Sequence, residues 1–259
     1  MNLTIDQMQK IQLQMLRIVA DVCEEHNIPY LLHAGNLLGA VRHGGPIPWD
    51  VDTNILVPEN YIDKFYQYCQ PALSPKYKIN YHKFDKNSKS YFPIISISGY
   101  SFKMCHIDVF RLSGFPSDEK IQKSMYRKAH ILCKLIEIKR RKRRDTFTKT
   151  IVLYLLKPAL FFIPFNYLLK QYDKLCAKYP YDKAPYAGYL TGRYGIKNMF
   201  KREIFDDSIK IKYADISIRT VRDFDFYLKR FYGQYMKLPP ENEREQAMNT
   251  VYTLKEEKR

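Results

Sequence analysis

Hydrophobic residues recur every three or four positions near the start of the chain, between residues 4 and 26. This spacing places one apolar stripe along an α-helix, so it predicts an amphipathic packing helix. The stripe consists of Ile5, Met8, Ile11, Met15, Ile18, Val19 and Val22. Residues 26–29 interrupt the pattern, and the short apolar run 30–33 predicts a strand.

A second pattern, alternation of polar and apolar residues, runs from residue 51 to residue 57. Such alternation predicts a half-exposed β-strand, in which side chains two positions apart point to the same face. Asp50, Asp52 and Asn54 would therefore share one face.

Between residues 60 and 116 the pattern predicts one helix and two strands. The helix covers 61–69, and the strands cover 91–100 and 104–110. The two strands are predicted to meet in a hairpin near Gly99. Together with the preceding strand, these elements predict an α/β (α+β) core built on a mixed sheet.

The middle of the chain has a different character. Basic helical patterns occupy 117–144, and a strongly apolar segment with two prolines follows at 151–169. We interpret residues 117–180 as a helical insertion. It separates a core of residues 1–116 from a C-terminal part, residues 181–259, that completes this core.

Composition adds a strong positive charge to this picture. The 259 residues include 43 Lys and Arg against 27 Asp and Glu, a formal net charge of +16. The excess favours anionic partners: nucleic acid, a nucleotide donor or an acidic membrane surface. Five widely spaced cysteines form no zinc-binding or disulfide pattern, which favours a reducing, cytoplasmic setting.

The apolar segment 151–169 raises the question of a membrane. Lys157, Pro158 and Pro164 interrupt it and argue against a spanning helix, and the N-terminus lacks the apolar run of a signal peptide. The segment follows a basic run at 139–144. Basic residues attract anionic lipid, so a peripheral contact with the inner face of the membrane is predicted. Packing of 151–169 as a buried helix pair is the alternative.

Candidate chemistry centres on Asp50 and Asp52. Two carboxylates at this spacing can hold one divalent ion, Mg²⁺ or Mn²⁺. Shortly before them, a glycine-rich turn over residues 35–39 is predicted to open a helix, where backbone N–H groups suit a phosphate oxygen. Asp108, on a later strand, can complete the metal site or act as a general base. Each motif alone is weak evidence, and their order along the chain makes them a candidate nucleotide-phosphate site.

Three stretches resemble successive signature blocks of the LicD family, which includes bacterial phosphocholine transferases and the fukutin-related proteins. They read LLHAGNLLGAVRHGGPIPWDVD, HIDVF and YLKRFYGQYMKLPPENER. The resemblance covers most of the chain, from about residue 5 to residue 245. It implies a nucleotidyltransferase-like core. It also implies transfer of phosphocholine, or of ribitol or glycerol phosphate, from a CDP-activated donor to a glycan or lipid-linked glycan, with release of CMP.

The resemblance carries site residues with it. The candidate donor-binding residues are Gly35, Asn36, Gly39 and Arg42, the candidate metal ligands are Asp50, Asp52, Asn54 and Asp108, and the candidate catalytic residues are Asp50, Asp52 and Asp108. The family block usually reads Trp-Asp-Asp-Asp-Ile-Asp, and this chain has Val51 and Asn54 where acids are common. An amide oxygen attracts Mg²⁺ less than a carboxylate does. A second departure is at residues 244–246, where family members often continue with histidine.

Two other functions stay open at this point. The amide at Asn54 is consistent with a catalytically silent relative that retains the fold. The charge and the 22 tyrosines are consistent with a nucleic-acid-binding protein. No RRM, KH or helix-turn-helix pattern accompanies them, so we expect no nucleic-acid partner.

Overall fold

The computed structural model describes residues 2–101, 105–140, 160, 162–192, 194–242, 244 and 252–254. The helices are α1 (Ile5–Glu25), α2 (Ala34–His43), α3 (Ile62–Leu73), α4 (Glu119–Arg140), α5 (Phe165–Cys176), α6 (Glu203–Asp206) and α7 (Phe224–Tyr232). The strands are β1 (Asn2–Leu3), β2 (Leu31–Leu32), β3 (Thr53–Pro58), β4 (Tyr77–Asn80), β5 (Ile94–Ile97), β6 (His106–Phe115), β7 (Tyr186–Gly188), β8 (Phe200–Lys201), β9 (Ser208–Tyr213), β10 (Ile216–Val221) and β11 (Tyr252–Thr253).

A seven-stranded mixed sheet forms the centre of the molecule. Its order is β2-β3-β6-β5-β4, with β7 pairing with the far end of β6 and β8 pairing with β7. β3 and β6 run parallel, and the other neighbours in the sheet are antiparallel. The α/β prediction is confirmed, and so is the hairpin between β5 and β6, where Ile94 lies opposite Asp108.

Helices cover both faces of the sheet. On one face α1 and α3 pack on the side chains of Ile55, Val57 and Ile107. On the other face α2 and α7 pack on Leu56 and Leu112. These side chains are almost fully buried, and each contributes about 1.5–3 kcal/mol of hydrophobic free energy. Alternation along β3 and β6 thus divides the core into two layers.

The first helix forms as its pattern predicts. Thr4 precedes α1, and its hydroxyl accepts a hydrogen bond from the backbone N–H of Gln7, while the Gln7 side chain accepts one from Thr4. This reciprocal cap satisfies two N–H groups that have no partner within the helix.

Two local predictions are wrong, and both concern the glycine and acid motifs. Residues 35–39 lie inside α2 and do not form a turn before it, because the change of direction is made by Ala34, whose φ of 51° is left-handed. The strand predicted over 51–57 begins only at Thr53. Asp50 and Asp52 precede this strand, in a loop whose carbonyls bond to side chains of α1.

The helical insertion begins where β6 ends. Helices α4 and α5 pack together around Phe115. A buried ionic network ties α5 to the sheet: Arg111 of β6 donates to both carboxylate oxygens of Glu59 at 2.6 Å and to Asp173 of α5 at 2.5 Å. Such a network fixes the position of α5 on the sheet, because removal of one partner would leave a buried charge unpaired.

Most of the basic and apolar run lies outside the described residues, namely 141–159 and 161. Lys139, at its start, donates to the carbonyls of Leu160 and Ile163 at 2.6 and 2.5 Å. Lys139 therefore joins the end of α4 to the segment just before α5. Among the helices described, none combines the length and apolarity needed to cross a membrane.

Candidate active site

The predicted acids meet at one end of the central parallel strand pair. Asn54 of β3 lies beside Asp108 of β6 in the register of the sheet. On the other side of Asn54, its carbonyl accepts a hydrogen bond from the N–H of His33, at 3.1 Å. The beginnings of β3, β6 and α2 are thereby brought to one edge of the sheet, which we call the acid edge.

Burial and charge give Asp108 unusual properties. Its side chain is 21% exposed and lies on the same face as His106, with Oδ1 of Asp108 3.3 Å from Nε2 of His106. Burial, with a smaller effect of the Asp52 charge, raises the pKa of Asp108 to about 7. Burial lowers the pKa of His106, and the Asp52 charge opposes that effect. Asp52 is exposed and acts on both residues, so the structure brings Asp52, Asn54 and Asp108 to one place.

Residues 47–52, the acid loop, are held by two glutamines of α1. The Gln9 side-chain amide donates to the carbonyls of Ile47 and Asp50, at 2.8 and 2.7 Å. The Gln12 amide donates to the carbonyls of Val51 and His106, at 2.7 and 3.0 Å. The first helix therefore clamps the acid loop onto the start of β6.

Asn36, a candidate donor-binding residue, is 3% exposed and fully engaged with protein. Its carbonyl oxygen accepts from the N–H of Asn54 at 2.7 Å. Its amide donates to the carbonyl of Asp52 and to the hydroxyl of Tyr213, both at 3.1 Å. The side chain thus positions the chain on which Asp52 and Asn54 lie.

The two glycines of α2 have different surroundings. A Cβ on Gly35 would lie 2.6 Å from Oδ2 of Asp50, so the absence of a side chain lets this carboxylate rest on the first turn of the helix. A Cβ on Gly39 would lie 2.4 Å from the carbonyl oxygen of Gly45. Gly39 therefore serves the packing of α2 against the following loop, away from the acids.

Arg42 lies at the other end of α2 and holds the C-terminal part of the chain. One of its terminal nitrogens donates to the carbonyls of Tyr235 and Lys237, at 2.8 and 3.3 Å. Its guanidinium also lies over Trp49, 5.9 Å from the ring centroid, and Arg244 lies over the same ring at 5.5 Å. A phosphate contact by Arg42 stays a prediction, and these contacts give it a structural role.

The oxygen donors at the acid edge suit a divalent cation. Oδ1 of Asp108 is buried and accepts no hydrogen bond from the part of the chain that is described. Over the same part, no three His, Cys, Asp or Glu side chains converge on one point. Mg²⁺ is commonly held by one or two carboxylates, with substrate phosphates and water completing its shell. Asp52 and Asp108, with the amide of Asn54, fit this arrangement.

Comparison with known proteins finds two similarities. Residues 27–144 match the family described as LicD/FKTN/FKRP, nucleotidyltransferase domain. This part of the chain is therefore similar to LicD-family domains. The chain is also 26% identical to the lipopolysaccharide cholinephosphotransferase LicD of Haemophilus influenzae, over 257 residues that cover 93% of this chain and 95% of that protein.

Three residues beside the candidate acids were not singled out by the sequence patterns. His33 and His106 flank the Asn54–Asp108 pair, and Gln12 clamps the acid loop. Gln12 had a signal in the sequence, because it is a polar residue inside the apolar stripe of α1. In the structure it is 2% exposed. A buried amide of this kind must find partners.

A cavity of about 510 Å³ lies at the opposite end of the sheet from the candidate acids. Tyr30, Pro58 and Leu112 contribute to its walls, and Glu24 there is already paired with Arg219 at 2.6 Å. The candidate acids do not line it. The acid edge, not this cavity, therefore holds the candidate acids, and there Oδ1 of Asp108 is buried and accepts no hydrogen bond from the described residues.

Proposed function

We propose that this protein transfers a phospho-alcohol group, phosphocholine above all, from a CDP-activated donor to a hydroxyl of a glycan, with release of CMP. The similarity to a protein named as a lipopolysaccharide cholinephosphotransferase supports both the group and the glycan acceptor. The observation that carries the proposal is the buried carboxylate oxygen of Asp108, which accepts no hydrogen bond from the described residues and lies beside Asn54 and within the field of Asp52.

Each residue of the acid edge has a role in this reaction. Asp52, Asn54 and Asp108, with Asp50 from the acid loop, would hold Mg²⁺ or Mn²⁺. The ion when bound neutralises charge on the donor diphosphate. The acceptor oxygen forms a bond to the phosphorus that carries the alcohol, and the bond from this phosphorus to the oxygen of CMP breaks. CMP leaves with that electron pair, and Asp108 accepts the proton of the acceptor hydroxyl.

Conversion of the acids to amides tests this assignment. Asp50→Asn and Asp52→Asn are each expected to abolish metal-dependent CMP release from CDP-choline while thermal unfolding stays close to wild type. Asp63→Asn is a matched control, since Asp63 is an exposed acid on α3 that pairs with Lys83. Turnover like that of the wild type by either variant at limiting Mg²⁺ counts against the metal assignment. Absence of turnover from the wild type with CDP-choline, CDP-ribitol and CDP-glycerol favours the silent relative.

We also propose that the protein works at an anionic membrane surface, in a cytoplasmic setting. The support is on α4, where Lys120, Arg127 and Lys134 are exposed on one side together with Ile131, which is 50% exposed. These positions recur at helical spacing, so they form one basic stripe. A lipid-linked glycan would be reached from such a surface.

A further inference from the structure

A group of aromatic rings begins one strand step beyond Asp108. Phe110 follows Asp108 by two positions in β6, and both side chains therefore point to the same face of the sheet. Tyr189 stacks on Phe110, with ring centroids 5.0 Å apart and an interplanar angle of 11°. The ring of Phe92 lies 5.5 Å from Phe110 on the other flank.

The rings continue around the side chain of His33. Phe110, Tyr189 and Phe231 meet its imidazole edge-on, at 5.9, 4.8 and 5.8 Å. Phe92, Phe110 and Phe231 keep part of their surface exposed, whereas Tyr189 is buried. We call Phe92, Phe110, Tyr189 and Phe231 the aromatic wall.

Ring surface and an acidic neighbour are the two features of the aromatic wall that suit a cationic ligand. His33 is fully buried between the rings. Over the described ranges, no Lys or Arg lies on the ring of Phe92, Phe110 or Phe231. Asp108, two positions before Phe110 on the same face, is the acidic neighbour of the wall, and Arg230 lies over the adjacent ring of Phe200, 4.6 Å from its centroid. Ring faces bordered by carboxylates attract a quaternary ammonium group, whose charge interacts with the ring quadrupole.

We propose that the aromatic wall receives the trimethylammonium group of a choline-bearing donor and thereby selects choline over uncharged alcohols. This inference rests on the proposed function and names the part of the donor that is recognised. Asp108 and Phe110 are about 7 Å apart along the strand. With the donor's phosphorus at the acid edge, this spacing allows the ammonium group to reach the wall, because the nitrogen lies two carbons beyond the ester oxygen. A polyol would find few hydrogen-bond partners there, because three of the four side chains are phenylalanine.

A neutral isostere isolates the contribution of the charge. CDP-choline and CDP-3,3-dimethylbutanol differ only by nitrogen in place of carbon at the branched centre. The wild type is expected to prefer CDP-choline in kcat/KM by about tenfold or more. Phe110→Leu should reduce that preference to near unity. Phe226→Leu is the matched control, because Phe226 is 46% exposed on α7 outside the wall, and it should retain the full preference.

Several results would overturn the inference. Equal use of the two donors by the wild type is one, and an undiminished preference in Phe110→Leu is another. Phe110→Tyr, which keeps the ring, should keep the preference, and Phe92→Leu provides the test if Phe110→Leu does not fold. If the wild type turns over no CDP-alcohol, the proposed function fails. Calorimetric binding of phosphocholine against 3,3-dimethylbutyl phosphate then decides on the wall: tighter binding of phosphocholine supports it, and equal binding refutes it.

Discussion

At the scale of single residues, the acid edge depends on small side chains next to charged ones. The Asp50 carboxylate occupies the space that a Cβ on Gly35 would fill, and the Asn36 amide bonds the backbone of Asp52 and Asn54 and the hydroxyl of Tyr213. Substitutions of Gly35 and Asn36 are expected to separate activity from stability. A substitution of Gly35 displaces a carboxylate, whereas a substitution of Asn36 removes buried hydrogen bonds.

Gly35→Ala is expected to reduce activity at least tenfold with little change in the melting temperature. The added Cβ displaces the Asp50 carboxylate, while the helix itself gains about 0.5–1 kcal/mol from loss of a glycine. Gly39→Ala is the matched comparison. Its Cβ meets a backbone oxygen that cannot move, so it should cost about 1–3 kcal/mol of stability. Activity assays and thermal unfolding of both variants check this, and full activity in Gly35→Ala would contradict it.

Asn54→Asp introduces, beside Asp108, the acid that the family resemblance led us to expect at this position. It is expected to lower the half-saturating Mg²⁺ concentration about three- to tenfold, because ligand charge offsets the cost of stripping water from the ion. The melting temperature without metal should be unchanged or lower, since the new carboxylate repels Asp108. Identical metal dependence of the two proteins would mean that the Asn54 side chain does not contact the ion.

At the scale of elements, α1 acts on the site from a distance through its glutamines. Gln12→Leu leaves the carbonyls of Val51 and His106 without their donor and is expected to cost about 2 kcal/mol. It should also raise the half-saturating metal concentration, because the acid loop loses its clamp. Gln14→Leu is the control, since Gln14 bonds Lys76 and Tyr77 on the far side of α1. Urea unfolding and metal titration measure both effects; lower stability with unaltered metal dependence would exclude a positioning role.

The end of α1 is joined to the β9–β10 hairpin by Glu24. Hydrogen bonds from Arg219, with help from Lys210, lower the pKa of Glu24 to about 2 from 4.5. A lowered folded-state pKa means that the stabilisation is present above about pH 4.5 and disappears as the pH falls towards 2. The hairpin also reaches the central sheet, because the Thr220 hydroxyl donates to the carbonyl of Leu32 at 3.2 Å.

Glu24→Gln is therefore expected to lower stability by about 1–2 kcal/mol at pH 6 and by less at pH 3. Denaturant unfolding at both pH values measures the difference. The neighbouring Glu25, whose side chain is 74% exposed, is a control, and Glu25→Gln should change stability little at either pH. An equal deficit of Glu24→Gln at pH 3 and pH 6 would show that the ion pair is not the cause.

At the scale of the whole molecule, the sheet and the insertion are joined at Arg111, and the basic stripe lies on the outside of the insertion. The chemistry and the proposed membrane contact are therefore on different parts of the protein. This separation allows the membrane contact to be tested without disturbing the acid edge.

The double variant Arg127→Gln/Lys134→Gln is expected to bind anionic vesicles about 30-fold more weakly at low salt, at roughly 1 kcal/mol for each charge. Flotation with phosphatidylserine-containing and neutral vesicles measures this, and added salt should weaken wild-type binding. Lys86→Gln/Lys89→Gln removes the same charge from the exposed loop between β4 and β5 and serves as control. Equal recovery of the wild type from both vesicle types would refute the electrostatic contact.

The sequence by itself predicted most of the elements and supplied the candidate acids. Periodicity located α1 and the β5–β6 hairpin because hydrophobic spacing follows directly from helix and strand geometry. The order of the glycine motif, Asp50, Asp52 and Asp108 indicated a phosphate and metal site, because these residue types have few other uses in that combination.

Only the tertiary structure decided what each of these residues contacts. Parallel pairing of β3 with β6 places Asn54 beside Asp108, and neither strand encodes that partner locally. Alternation of polar and apolar residues predicted that the end of the acid loop belongs to a strand. In the structure the glutamines of α1 donate to the carbonyls of this loop, and these long-range hydrogen bonds replace those of a sheet. The aromatic wall likewise joins residues from β6, the loop before β5, the chain after β7, and α7. Proximity of this kind arises from packing, which no local pattern specifies.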